Sequence, residues 1–235
     1  MKNGSLYIVG TPIGNLEDIT LRAIKTLNQV DLILCENAKN SQKLLNHHQI
    51  KTPYKTLFTN TDSAYDWIIE DLKSGKEMAY ISDAGTPGVS DPGAGLVRSV
   101  RKAGISIVPI PGASALTSML SISGYQTNPT YFLGFLSEKP NKKRTELAEY
   151  TEKDCVIVFY ESVYKIKTTL SILQELFPDS EILIGRELTK IHEEILLYKP
   201  EDLPIESITL KGEFVLLINN HRKKIAKEKI ILTDT

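Results

Sequence analysis

Apolar and polar positions along this chain alternate between two periods. Short apolar runs at Leu6–Val9, Asp31–Cys35, Met78–Ile81 and Ile105–Ile110, with a weaker one at Tyr54–Phe58, read as strands. Of these, Asp31–Cys35 reads as a buried strand. Between them, apolar residues recur at three- and four-residue spacing: Leu21, Ile24 and Leu27; Trp67, Ile68 and Leu72; Leu96, Val97, Val100 and Ala103. These predict amphipathic helices, with stops at Gly75 and Gly104. A short helix is expected over Gln42–His48, and another from Ser114, as its N-cap, to Ser123, ended by Gly124. Strand–helix alternation up to Gly124 predicts a mainly parallel sheet.

Beyond Gly124 the pattern changes. Thr130–Phe135, Cys155–Tyr160 and Glu181–Arg186 read as strands, and Glu193–Tyr198 and Glu213–Ile218 follow with no clear helix between them, which suggests antiparallel pairing. Helices are expected over Thr145–Tyr150 and on Ile166, Leu170, Leu173 and Leu176, the second opened by Glu161-Ser162. Leu136 to Arg144 reads as a basic, turn-rich stretch. Apolar periodicity lapses in Tyr125–Pro129, and Asn128-Pro129 marks a turn. The expected organisation is therefore α/β with two lobes: an N-terminal lobe over 1–124, a mixed C-terminal lobe over 125–220, and a basic, polar, frayed tail over 221–235.

The longest turn-rich segment is Ser82–Gly95, with Gly85, Gly88, Gly93 and Gly95 interleaved with Pro87 and Pro92. It follows a strand and precedes a helix, so it lies at the carboxyl edge of the sheet, where open α/β folds bind ligands. Its Asp83 and Asp91 offer acceptors for hydroxyls or a cation. Gly10–Asp18 has the same strand–turn–helix setting. Its Gly-x-x-x-Gly spacing is neither the dinucleotide fingerprint nor a phosphate loop, which points to a nucleoside-like ligand not gripped by its phosphates and disfavours a nicotinamide dehydrogenase.

Composition narrows the partners. Lysine plus arginine number 28 against 29 acidic residues, a net charge of −1, so a polyanion would have to be met by a local patch. Cys35 and Cys155 both sit inside apolar runs and read as buried thiols, and the four histidines have no metal-ligand spacing with them, so no metal site is expected. No leader peptide or membrane span is expected, and the setting implied is cytoplasmic.

Seven segments occur in a fixed order: Gly-Thr-Pro-Ile-Gly-Asn-Leu-x-Asp-Ile-Thr from Gly10, Ser-Asp-Ala-Gly-Thr-Pro-x-x-Ser-Asp-Pro-Gly from Ser82, Pro-Gly-x-Ser-Ala from Pro111, Gly-Phe-Leu from Gly134, Phe-Tyr-Glu-Ser from Phe159, Arg-Glu-Leu-Thr-Lys from Arg186 and Lys-Gly-Glu-Phe from Lys211. Together, over about Leu6 to Ile218, they resemble the ribosomal RNA small-subunit methyltransferase I family, a branch of the tetrapyrrole methylase superfamily. The resemblance implies a two-lobed S-adenosylmethionine-dependent methylase, usually a homodimer, that methylates the ribose 2'-hydroxyl of a cytidine in small-subunit ribosomal RNA. It places the donor in the cleft between lobes, against Ile13, Asp83, Val89, Ser90, Ser114 and Ala115 on one side and Tyr160, Arg186, Glu213 and Phe214 on the other.

Glu36, Glu161 and Glu187, each at the carboxyl end of an expected strand, are the candidates for orienting the acceptor hydroxyl or taking its proton. Lys39, the Lys139, Lys142, Lys143 and Arg144 run, Lys165 and the Arg222–Lys224 tail are the candidates for RNA phosphates. Where the family usually has Glu-Asp-Thr-Arg-His-Ser, this chain has Glu36-Asn37-Ala38-Lys39-Asn40-Ser41, and Val163 and Lys165 stand where Pro and Arg are usual. These departures lie on the acceptor side, and lysine keeps the charge of arginine without its bidentate fork. Two other readings share the donor-side motifs: a methylase acting on a small molecule or protein side chain, and a non-catalytic donor- or RNA-binding relic.

Overall fold

The computed structural model describes residues 3–57 and 65–221. Phe58, Ala64 and the tail from Arg222 to Thr235, with its expected Arg222–Lys224 phosphate contact, lie outside the described residues.

The first sheet contains β1 (Ser5–Val9), β2 (Leu32–Cys35), β3 (Tyr54–Thr56), β4 (Met78–Ile81) and β5 (Ser106–Ile110), in the spatial order β3-β2-β4-β1-β5 with every pairing parallel. Side chains alternate across it. Ile33, Cys35, Ala79 and Ile81 face α1 (Leu21–Gln29) and α2 (Ala38–His47). Leu34, Met78 and Tyr80 face α3 (Asp66–Lys73) and α4 (Ala94–Lys102). Burial on both faces accounts for the continuous apolar strands.

The second sheet contains β6 (Thr130–Phe135), β7 (Val156–Ser162), β8 (Glu181–Arg186), β9 (Glu194–Tyr198) and β10 (Glu213–Asn219), in the order β6-β7-β10-β8-β9. Only β6–β7 is parallel, so the sheet is mixed; β9 and β10 are both in antiparallel pairs, but with β8 between them and not with each other. One face packs on α6 (Pro140–Ala148) and α7 (Ile166–Leu176). The other packs on α5 (Ala115–Ile122), whose Met119 sits among Val156, Val158, Leu183, Val215 and Leu217. So a helix that precedes the turn at 125–129 completes the core of the later sheet.

Three elements differ from the expectation. Helix α2 begins four residues early, because the Asn37 side chain accepts from the Lys39 amide and caps it, which puts Lys39 and Asn40 in the first helical turn. The stretch expected to be turn-rich is α6, started by Pro140 in the first helical turn, where its fixed φ suits the helix. Strand β7 runs on through Glu161 and Ser162, and α7 begins only at Ile166. Among the described residues, no helix is long and apolar enough to cross a membrane.

Candidate active site

The loops leaving β1, β4 and β5, three adjacent strands, meet at the carboxyl edge of the first sheet. Thr11 and Gly85 exchange backbone hydrogen bonds (Thr11 N to Gly85 O, 2.8 Å; Gly85 N to Thr11 O, 3.2 Å). Gly10 and Gly112 touch so closely that a Cβ on Gly10 would lie 2.7 Å from the Gly112 nitrogen. Facing these loops are the end of β7, the 187–190 turn after β8 and the start of β10. Between the two walls lies a cavity of about 410 Å³, a size suited to a small organic ligand.

The walls are joined directly. Asn15 N donates to Thr189 Oγ1 (3.1 Å), and Gly14 presses against the same turn. A Cβ there would sit 2.5 Å from Lys190 Cγ and 2.8 Å from both Leu188 O and Thr189 Oγ1. We expect Gly14→Ala to force the walls apart and to lower stability by about 1–3 kcal/mol, the usual range for overpacking; a urea midpoint equal to that of the parent would contradict this contact. Ser90 (φ 63°), which lines the cavity, and Glu187 (φ 52°) and Thr189 (φ 65°), on either side of its lining residue Leu188, hold left-handed backbone. Such conformations persist only where surrounding contacts impose them and concentrate at functional sites.

Ile13, Val89, Ser90, Ser114, Ala115, Tyr160, Glu213 and Phe214, the residues expected around the donor, line this cavity. Asp83 and Arg186 do not. The Asp83 carboxylate accepts from Asn40 Nδ2 (2.7 Å), and its amide donates to Glu36 Oε2 (3.2 Å). Arg186 faces away because Gly185 occupies the cavity-side position of β8: a Cβ on Gly185 would meet Val215, Leu188 and Met119. The next side chain must therefore point to the opposite face. There the guanidinium donates to Glu194 Oε2 (2.8 Å), Lys211 O (3.3 Å) and His192 O (3.2 Å), beside a separate hollow of about 290 Å³. Ser114 occupies the N-cap position of α5 but makes no capping bond; it meets the Tyr160 hydroxyl instead.

The three expected proton acceptors separate. Glu161 alternates away from Tyr160 and Ser162, and its carboxylate lies under α6 and α7, bonded to Lys143 Nζ, Thr169 Oγ1 and the Ser162 amide (2.8 Å). Lys143, expected on RNA, is 1% exposed and donates to Thr169 Oγ1 as well (2.7 Å). With Leu147 one turn on, it forms the buried side of α6, so the pair is structural. Glu187 accepts from Lys190 Nζ (2.7 Å) and the Glu213 amide (3.0 Å) through one oxygen. Burial pushes its carboxyl up, but the Lys190 hydrogen bond, the Glu213 amide and the nearby cations outweigh this and hold it below the usual range. Glu36 stands outside the cavity lining, beside Asp83.

Asp91, half-buried, does line the cavity. Burial, reinforced by the charges of Glu36, Asp83 and Glu213 and opposed by a hydrogen bond from Ser82, pushes its carboxyl up to about 6. The sequence marks Asp91 as an acceptor but does not separate it from Asp83. Ser162 and Lys190 also reach the cavity. The Ser162 hydroxyl, buried, has no hydrogen-bond partner among the described residues. Strand alternation from Tyr160 could have flagged it.

Of the remaining cations, Lys39, Lys139 and Lys142 are exposed, the last 4.0 Å from Glu146. Arg144 pairs with Glu175, and Lys165 with Glu138 (2.6 Å). No cluster of His, Cys, Asp and Glu able to hold a metal occurs among the described residues.

Residues 5–204 match the family model for tetrapyrrole (corrin/porphyrin) methylases. A protein of Leptospira biflexa called ribosomal RNA small subunit methyltransferase I is 55% identical, covering 99% of this chain and 98% of its own. One of the same name from Bacillus subtilis is 40% identical over 96% of this chain and 78% of its own. In fold, the chain is similar to uroporphyrin-III C-methyl transferase from Thermus thermophilus complexed with S-adenyl homocysteine (TM-score 0.67, 14% identity, 92% of this chain and 97% of that one). It is also similar to a putative diphthine synthase from Entamoeba histolytica (TM-score 0.66, 17% identity, 94% of each chain). Parallel first sheet, mixed second sheet, a cavity between their loops and these matches agree: the chain belongs to the tetrapyrrole methylase family, in its ribosomal RNA small subunit methyltransferase I branch.

Proposed function

We propose that this protein transfers a methyl group from S-adenosylmethionine to small-subunit ribosomal RNA, at the ribose 2'-hydroxyl of a cytidine. The observation that carries the reading is the cavity between the two sheets, lined by the motif residues of both halves of the chain. Close relatives bear the ribosomal RNA name, and a solved neighbour in fold holds S-adenyl homocysteine.

The residues present fit the donor. Asp91, Glu213 and Lys190 are the charged side chains at the cavity; the Glu161 carboxylate turns to Lys143 under α6 and α7, and Lys190 is already held by Glu187 and by Glu213 (2.9 Å). The surplus is acidic, which suits a sulfonium and not a phosphate. The unpartnered Ser162 hydroxyl and the Ser114–Tyr160 pair offer polar contacts within largely apolar walls. When bound, S-adenosylmethionine supplies a methyl carbon already activated by its sulfonium.

The protein's own tasks are then to align the ribose hydroxyl with that carbon and to receive its proton. Asp91 Oδ is the acceptor in the cavity with a carboxyl tuned toward neutrality. Ile13, Val89, Ala115 and Phe214 keep water from the reacting centre. Lys39, Lys139 and Lys142 remain to meet phosphates. The ribosomal acceptor implies a cytoplasmic setting. A homodimer is the expected assembly: β9 is one of the two edges of the second sheet and leaves Ile195, Leu196 and Leu197 exposed.

The test is transfer of labelled methyl to small ribosomal subunits lacking their own methylation, followed by nuclease digestion. Label on a cytidine ribose is expected. Label on a free metabolite or a protein side chain would move the acceptor to another branch of the family, and no label with donor still bound in calorimetry would leave a relic.

A further inference from the structure

The Gly-Phe-Leu segment from Gly134 ends strand β6 in an unusual placement. Strand β6 pairs with β7 in register from Thr130 to Phe132, then slips: Phe132 stands opposite Val158 and Phe135 opposite Tyr160, three residues on one strand against two on the other. The slip is a bulge, and Gly134 supports it with φ 62°. The same glycine lets β6 approach the long loop, since a Cβ there would lie 2.8 Å from Ser90 Oγ. Without the extra residue, alternation would send Phe132 and Phe135 to opposite faces. With it, both rings reach Tyr160, Phe132 at 5.1 Å and 68°, Phe135 at 5.5 Å and 61°. The ladder runs outward from the core and ends on a phenyl ring that lines the cavity yet is 62% exposed.

An exposed phenyl ring, set by a bulge and a left-handed glycine at the rim of a cavity, is a flat apolar face offered to something outside it. Beside it, Val89 is exposed in part, and the Lys165–Glu138 ion pair (2.6 Å) ties the segment after β6 to the segment after β7. Sequence-tolerant stacking on such a ring is how proteins hold a splayed-out nucleotide. We propose that Phe135 is a positioning residue that stacks on the base of the acceptor nucleotide, holding it out of the RNA so that its ribose enters the cavity. This rests on the ribosomal RNA reading above.

The test uses the full-length protein with Phe135→Ala, Phe135→Leu and Phe135→Trp, measuring steady-state methylation of small subunits, S-adenosylhomocysteine affinity by calorimetry, and mass in solution by sedimentation. Phe135→Ala is expected to lower kcat/KM for the subunit by roughly 5- to 150-fold, mostly through KM, while S-adenosylhomocysteine affinity stays within about two-fold. Phe135→Trp keeps near-parental activity and Phe135→Leu behaves like Phe135→Ala, because leucine has bulk but no ring face. Equal loss of S-adenosylhomocysteine affinity would assign the ring to the donor. Full rescue by leucine would reduce it to packing, and a change of mass would assign it to contact between copies; each of these overturns the proposal. A parent protein inactive on RNA sinks the ribosomal reading and this proposal with it. An active parent with an unaffected Phe135→Ala sinks this proposal alone.

Discussion

Asp91→Asn is expected to lower methyl transfer at neutral pH by about 10²- to 10⁴-fold, the range for losing a positioned proton acceptor, while leaving S-adenosylhomocysteine affinity close to that of the parent. The expectation follows from where the carboxyl stands. It lines the cavity, and burial, with the charges of Glu36, Asp83 and Glu213 and against a Ser82 hydrogen bond, raises it to about 6. The parent rate should rise with pH through about 6, as the carboxyl becomes able to accept a proton, and then level. The residual rate of Asp91→Asn should show no such step. Stability supplies an independent reading of the same group. Its folded value lies above the ordinary carboxylate value, so folding favours the protonated form. The resulting stabilisation is complete below about pH 4 and lost as pH rises through about 6. Asp91→Asn should therefore be more stable than the parent above pH 7 and no more stable below pH 4. Raising a carboxyl that far is worth about 3 kcal/mol in full; because Asp91 is only half-buried, solvent screening reduces the expected gain to about 1–2 kcal/mol. Urea midpoints at pH 4 and pH 8 measure the difference. An Asp91→Asn protein with an unchanged pH–rate profile would mean that the proton leaves directly to solvent.

Lys143→Met and Glu161→Met are each expected to cost about 3–5 kcal/mol, because each leaves the other partner ionised in a core with nothing to neutralise it. Both side chains are almost wholly buried, and Thr169 accepts from one and donates to the other. The double variant Lys143→Met/Glu161→Met should recover most of the loss, since a buried pair replaced as a unit by apolar side chains is often neutral. Equilibrium urea unfolding of the three variants closes the cycle. Donor affinity of the double variant should persist, because the pair lies under α6 and α7 and not on the cavity face. Single variants that cost less than about 1 kcal/mol would mean that water screens the pair as it does a surface salt bridge.

The strands of the two sheets, the parallel character of the first and the loops that make the cavity are legible in the chain, because a strand covered on both faces writes itself as a continuous apolar run and a tight strand-to-helix turn requires glycine and proline; the spatial order of the strands is not. What is not legible is which way a polar residue points. Glu161 has a neighbour motif and a strand-end position suited to catalysis, yet period-two alternation from Tyr160 sends it to the helix face. Lys143 lies in a basic run with no helical period because the buried side of α6 is formed by a lysine, and only its pairing with Glu161 makes that tolerable. Arg186 belongs to a motif whose Leu188 and Lys190 reach the cavity, and it is turned away by the glycine beside it, which packs against Val215 and Met119. For these three the deciding contact is distant in sequence. Asn37 differs: it reads as a lost carboxylate on the acceptor side, whereas its role is local, capping α2.

The packing of Met119 against the second sheet bears on how the chain is made. Helix α5 leaves the ribosome well before β7, β8 and β10, the strands that cover it. Its apolar side stays open on the nascent chain for about a hundred residues of synthesis, a natural site for chaperone capture. For the same reason a fragment starting at 125, after the turn where periodicity lapses, would carry a groove of Val156, Val158, Val215 and Leu217 with no helix to fill it. Dissection into pieces that complement each other should succeed with a cut near 112, between β5 and α5, and fail with a cut near 125.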